Sequence, residues 1–143
     1  MQENKKILLA TSNQGKIKEF KKIFSNFQLI SQDELGITEP IEDGLTFIQN
    51  ALIKARNGAN KSGVYTIADD SGIVVPALDF APGIYSARYA GKNASDLDNR
   101  NKIISELKKH NLTSSHAYYV CVLVGMHSKD DPMPIVASGE IHG

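Results

Sequence analysis

The stretch Ile67-Ala68-Asp69-Asp70-Ser71-Gly72 sets two adjacent carboxylates, a hydroxyl and a glycine directly after a short apolar run. Neighbouring carboxylates repel, and each holds its proton more tightly unless a cation lies between them. A divalent metal is the usual cation, and Mg²⁺ is held by one or two carboxylates together with substrate phosphate oxygens. Taken alone, the stretch is more often a polar turn, because Asp, Ser and Gly are ordinary turn formers. A second group with chemical potential is Thr11-Ser12-Asn13-Gln14-Gly15-Lys16. If a helix begins there, its free N–H groups and partial positive charge face an anion, and Lys16 adds a full charge beside them. It is not a Walker A loop, because Ile17 follows Gly15-Lys16 and no glycine lies five positions before Gly15. Viewed by itself it is a helix cap slightly more often than a phosphate cradle.

Those residues need elements to position them. Ile7-Leu8-Leu9-Ala10 reads as a first strand, and Ile17, Phe20, Ile23, Phe24 and Phe27 then recur at helical spacing with Asn13 as N-cap. Leu29-Ile30 is a further short strand. Glu42-Asp43-Gly44 precedes a second helix with the apolar stripe Leu45, Ile48, Leu52, Ala55 and Ala59, closed by Gly63. Phe47, Ala51 and Lys54 form a neighbouring stripe, so Lys54 either snorkels over the surface or points into a cleft. The run 64–68 reads as a strand ending at the carboxylates, and Ile73 to Val75 as a second short run. Strand ends of open α/β sheets are where ligands bind. Ser95-Asp96-Leu97-Asp98 has capping-box character and opens a third helix with Leu97, Ile103, Ile104 and Leu107 on its apolar side. The run 118–124 reads as a central strand covered on both faces, and Ile135-Val136-Ala137 as a last one.

Composition narrows the classes. With 143 residues, the chain is most simply one domain. Sixteen basic and sixteen acidic residues cancel, so no global field draws it to nucleic acid or an anionic membrane. A single cysteine, Cys121, excludes an internal disulfide and reads as a buried small hydrophobe. No apolar stretch is long enough to span a bilayer, and the polar residues 1–6 carry no signal-peptide core. The expected location is the cytoplasm.

Three segments in order resemble one family. Thr11-Ser12-Asn13-Gln14-Gly15-Lys16 with Glu19 is similar to the N-terminal loop of the inosine triphosphate pyrophosphatases, and Glu42-Asp43-Gly44-Leu45-Thr46-Phe47 with Asn50-Ala51 and Lys54-Ala55 to their second motif. Ala68-Asp69-Asp70-Ser71-Gly72, followed by Ala81-Pro82-Gly83-Ile84-Tyr85-Ser86-Ala87-Arg88, resembles their most recognisable stretch. The resemblance implies an elongated mixed α/β fold with two lobes around a central cleft, usually a homodimer. It implies Mg²⁺-dependent hydrolysis of non-standard purine nucleoside triphosphates (dITP, ITP, XTP) between the α and β phosphates, giving the monophosphate and pyrophosphate.

Carried over position by position, Thr11, Ser12, Asn13, Gln14, Gly15 and Lys16 would bind the triphosphate, Lys54 another phosphate, and Ser71 the substrate. Glu42, Asp69 and Asp70 would hold Mg²⁺, and Asp70 would be the base that deprotonates the attacking water. The family's Phe-Gly-Tyr-Asp and Ser-His-Arg segments, which help read the purine base, do not occur in this sequence. Residues 1–143 are therefore expected to form a single pyrophosphatase domain shortened at its C-terminus. The alternative is a catalytically inactive nucleotide- or partner-binding remnant of the same fold.

Overall fold

A computed structural model describes residues 5–143. Residues 1–4 of the polar N-terminal stretch lie outside the described residues. The strands are β1 (Lys6–Leu9), β2 (Gln28–Ser31), β3 (Tyr65–Val74), β4 (Tyr118–Met126) and β5 (Ile135–His142), and the helices α1 (Gln14–Ile23), α2 (Phe47–Ser62) and α3 (Asp96–Lys109). Two 3₁₀ turns, Pro76–Leu78 and Gly83–Arg88, follow β3. The sheet order is β2-β1-β3-β4-β5, with β1 parallel to both β2 and β3. The α/β class with a sheet flanked by helices is as the sequence implies. The chain divides into two compact units, Met1–Asp69 with Val122–Ala137, and Asp70–Cys121 with Ser138–Gly143.

In the first unit, Ile7, Leu9, Ile17 and Leu29 form a core on one face of β1, with Phe20, Phe24, Tyr65 and Ile67 packed around it. α1 stops sooner than its periodicity suggests. Phe24 is its C-cap and Phe27 lies beyond it, while Ile23 and Phe27 are both exposed. On the opposite face α2 approaches closely enough that a Cβ on Gly58 would lie 2.9 Å from Leu8 and from Thr66. That closeness explains why the large residues of the expected α2 stripe are not its buried ones. The buried positions are Asn50, Ala51, Ala55, Gly58 and Ala59, whereas Leu45, which precedes the helix, and Ile48 are exposed. Small residues let the helix backbone settle on the sheet. β4 also departs from expectation. Val120, Val122, Val124 and Met126 are buried in alternation, the period of a strand with one covered face. On its other face, Leu123 lines an apolar groove of about 750 Å³ together with Phe24, Phe27, Tyr65 and Ile135. Cys121 is accordingly half-buried.

In the second unit, α3 begins at the expected Ser95, whose hydroxyl accepts from Asp98 N–H while the Asp98 carboxylate accepts from Ser95 N–H. Its Leu97 and Ile104 are exposed, and the one buried residue is Asn99. Asn99 accepts from Ala90 N–H at 2.8 Å and donates to Ala87 carbonyl at 3.1 Å. A polar side chain thus ties α3 to the Gly83–Arg88 turn, a role that an apolar-spacing argument passes over.

Candidate active site

The parallel strands β1 and β2 end together at one edge of the first unit, where β3 runs on past its pairing with β1. Leu9 pairs with Ser31 on one side and with Ile67 on the other. Two residues beyond these register positions stand Thr11 and Asp69. Asn13 caps α1 by accepting from Lys16 N–H at 3.1 Å, and its own N–H donates to the Thr11 hydroxyl at 3.2 Å. The loop is therefore wound so that α1 opens toward the strand ends, with Lys16 in its first turn.

Lys16 Nζ lies 2.6 Å from Asp69 Oδ2, and the Asp69 side chain is only 2% exposed. A carboxylate buried this deeply persists as an anion only with a compensating charge, and Lys16 supplies one. The other oxygen, Asp69 Oδ1, is buried with no hydrogen-bond partner among the described residues. Among the described residues it is an acceptor without a donor, open to a bound cation or ligand.

Around that edge lies a network that the motifs did not reveal. Ser12 Oγ donates to Asp33 at 3.0 Å, and buried Gln32 donates to Ser12 Oγ at 2.9 Å and to Glu39 at 3.2 Å. Ser12 is thereby fastened to the segment after β2. Only the position of Gln32 and Asp33 just past a parallel strand could have signalled them. Gln14 and Gly15, by contrast, are exposed at the start of α1.

A second ion pair sits at the start of α2. Glu42 Oε1 is 3.2 Å from Lys54 Nζ, with the Lys54 side chain 15% exposed. Thr46 caps the helix by accepting from Gln49 N–H. Gly44 N–H donates to the buried Asn50 carbonyl oxygen at 2.8 Å, and Leu45 N–H to Gln49 at 2.6 Å. A Cβ on Gly44 would fall 2.6 Å from that Asn50 oxygen, so only glycine fits there. These bonds hold Glu42 within reach of a lysine two helical turns along. Lys54 is thus a half-buried side chain paired with Glu42.

The carboxylate pair itself corrects the sequence reading. Asp69, Asp70, Ser71 and Gly72 are not a turn at a strand end but the middle of the ten-residue strand β3, which absorbs both apolar runs. Successive strand residues face opposite sides, so the two carboxylates diverge and their mutual repulsion is relieved without a cation between them. In the second unit, Asp70 Oδ1 accepts from Ser71 N–H, and Tyr119 Oη donates to Ser71 Oγ at 3.1 Å. Gly72 allows the Gly83–Arg88 turn to close on the strand: a Cβ there would lie 2.5 Å from Ser86 Oγ and 2.6 Å from Gly83 carbonyl oxygen. Ser86 Oγ in turn accepts from Ile73 N–H at 2.9 Å. The recognisable stretch is thus one folded unit, strand against turn.

Thr11, Asn13, Lys16 and Asp69 are brought together, Glu42 joins Lys54, and Ser71 joins Tyr119. Among the described residues, no three His, Cys, Asp or Glu side chains are grouped as a metal cage.

The sequence matches the Ham1 family over residues 7–143. The chain belongs to that family. The three motifs read from the sequence, between Thr11 and Arg88, all lie inside that match. Among its curated relatives, the dITP/XTP pyrophosphatase of Haemophilus influenzae is 49% identical over 140 residues, covering 96% of this chain and 72% of the relative. The Vibrio cholerae dITP/XTP pyrophosphatase is 50% identical over 141 residues, covering 97% and 70%. Among solved structures, a HAM1 protein from Coxiella burnetii superposes with a TM-score of 0.91 at 36% identity, over 97% of this chain and 72% of that one. The fold is therefore shared with that HAM1 protein over 97% of this chain.

Proposed function

We propose that this chain is a nucleoside triphosphate pyrophosphatase that hydrolyses the non-standard purine nucleotides dITP, ITP and XTP to the monophosphate and pyrophosphate. The observation that carries this reading is the buried Asp69 of β3 paired with Lys16 beside the ends of β1 and β2. An anion-binding helix start and a desolvated carboxylate with one unmet oxygen are what a metal-bound polyphosphate requires. Relatives nearly half identical to this chain carry the dITP/XTP pyrophosphatase name, which supports the substrate class.

Phosphoryl chemistry asks a protein mainly for positioning and charge neutralisation. In this reading Thr11, Ser12, Asn13, Gln14, Gly15 and Lys16 bind the triphosphate through loop donors, the α1 N-terminus and one ammonium. Lys54 neutralises a further phosphate and Ser71 contacts substrate. Each lysine exchanges its carboxylate partner for phosphate when substrate arrives. Asp70 accepts the proton of the water that attacks between the α and β phosphates. The Asp69 oxygen left unmet among the described residues suits a hard cation, and Mg²⁺ needs only one or two protein carboxylates, so Asp69 would hold it. The resemblance adds Glu42 and Asp70, which are not grouped with Asp69 in one cage among the described residues. When bound, Mg²⁺ withdraws charge from the phosphates and lowers the pKa of the water. Residues 1–143 form one such domain, acting in the cytoplasm as a homodimer.

Asp70→Asn tests the assignment. The variant should fold and lose at least about 10²-fold in dITP turnover, the lower end for a positioned acid–base group. Unchanged pyrophosphate release would remove Asp70 from the chemistry.

A further inference from the structure

Elsewhere in the second unit, one face of the β4–β5 pair gathers two histidines, a tyrosine and a glutamate. Ala117 and Gly143 exchange both backbone hydrogen bonds, at 3.0 and 2.9 Å, the narrow pairing of an antiparallel ladder. That register sets Tyr118 opposite His142 and His116 diagonally across from it on the same face. The Tyr118 and His142 rings stack with centroids 4.9 Å apart, and the His116 and His142 rings lie 5.2 Å apart. His142 Nδ1 stands 3.1 Å from His116 Nε2. On its far side, His142 Nε2 is 2.9 Å from Glu140 Oε2.

A carboxylate takes an N–H and not a lone pair, so Glu140 fixes the His142 proton on Nε2 and leaves Nδ1 as the acceptor of a hydrogen bond from His116 Nε2–H. An ion held by both nitrogens would take the place of that shared proton, which passes to solvent. Metal-ligating histidines are held in this way, with the second ring nitrogen donating to a carboxylate. We propose that His116 and His142 together bind a divalent transition-metal ion, Zn²⁺, Ni²⁺ or Cu²⁺, with Glu140 orienting His142. Metal–nitrogen bonds of about 2.0–2.1 Å put two nitrogens on one ion about 2.9 Å apart at a right angle and about 3.4 Å apart in a tetrahedron. The observed separation falls between. Imidazole suits these borderline ions, whereas Mg²⁺ prefers oxygen. The site is therefore chemically separate from the proposed Mg²⁺ ligands and does not rest on the pyrophosphatase reading. Two protein nitrogens leave the other coordination positions to water.

The test is a calorimetric titration of Zn²⁺ into the untagged chain in a buffer containing excess Mg²⁺. One equivalent should bind. His116→Ala and His142→Ala should each weaken that binding at least about 10-fold, and Glu140→Gln by about 10-fold, as for carboxylates behind metal-bound histidines. Urea unfolding provides the second readout: Zn²⁺ should raise the parent's midpoint and leave that of both histidine variants unmoved. A cooperative transition in each variant shows that it is folded. No binding by the parent, equal binding by all four chains, or displacement of Zn²⁺ by Mg²⁺ would overturn the proposal.

Discussion

Among the described ion pairs, Lys16–Asp69 holds the most deeply buried carboxylate. The ammonium lies 2.6 Å from a carboxylate that is 2% exposed. Charge-assisted contacts of this length are roughly twice as strong as neutral ones, but part of the Lys16 side chain remains accessible to solvent, which tempers the pair's worth. A half-buried ammonium on a flexible stem can turn to phosphate, whereas Asp69 is held in the sheet. Lys16→Ala should therefore act mainly on substrate affinity. Steady-state kinetics with dITP should give a raised KM and a lowered kcat/KM, and parent values of both would reduce the loop to a helix cap. Lys16, Lys54 and the acidic residues were legible in the sequence because their motifs are ordered along the chain. Gln32, Asp33 and Tyr119 were not, because each meets its partner through pairing distant in sequence: Gln32 and Asp33 reach Ser12, and Tyr119 reaches Ser71.

At the level of elements, capping chemistry and turn residues were the readable signals. Asn13, Gly63 and the Ser95–Asp98 box all stand where local hydrogen bonding demands. Apolar spacing was the poorer guide. α2 buries alanines and a glycine because its backbone lies against Leu8, Ala10 and Thr66, while Ile48 is left exposed and Leu52 and Ile53 are only half-buried. The strand through Asp69-Asp70-Ser71 was hidden because turn-forming residues were recruited into an extended chain, a conflict expected at functional sites. The loop between β4 and β5 makes a pH prediction. The Asp131 carboxyl is held below its ordinary value, first by His127 N–H and then by Met133 N–H. A lowered native pKa means that its stabilisation is present above the unfolded-state value, about 3.9, and is lost as pH falls through the native one. In urea unfolding, Asp131→Asn should be less stable than the parent near neutrality, with the gap closing in acid. A gap that persists unchanged at low pH would contradict the ionic origin.

Across the whole molecule, β5 stands at the end of the sheet order with all eight residues exposed, Ile135, Val136 and Ile141 among them. An exposed apolar edge strand invites pairing with another chain. The proposed homodimer predicts a concentration-dependent shift from monomer to dimer in sedimentation velocity, and a monomer at every concentration would exclude it. Family membership extends over residues 7–143, and the chain spans 72% of its Haemophilus influenzae relative. The residues proposed to face phosphate and metal lie within that shared span. The most direct test of the account is a nucleotide panel run on this chain with Mg²⁺, measuring pyrophosphate and orthophosphate separately. The account predicts one pyrophosphate and one dIMP per dITP consumed, with dITP, ITP and XTP turned over faster than dATP or dGTP. Orthophosphate as the product, or no turnover of any triphosphate by the folded chain, would contradict it.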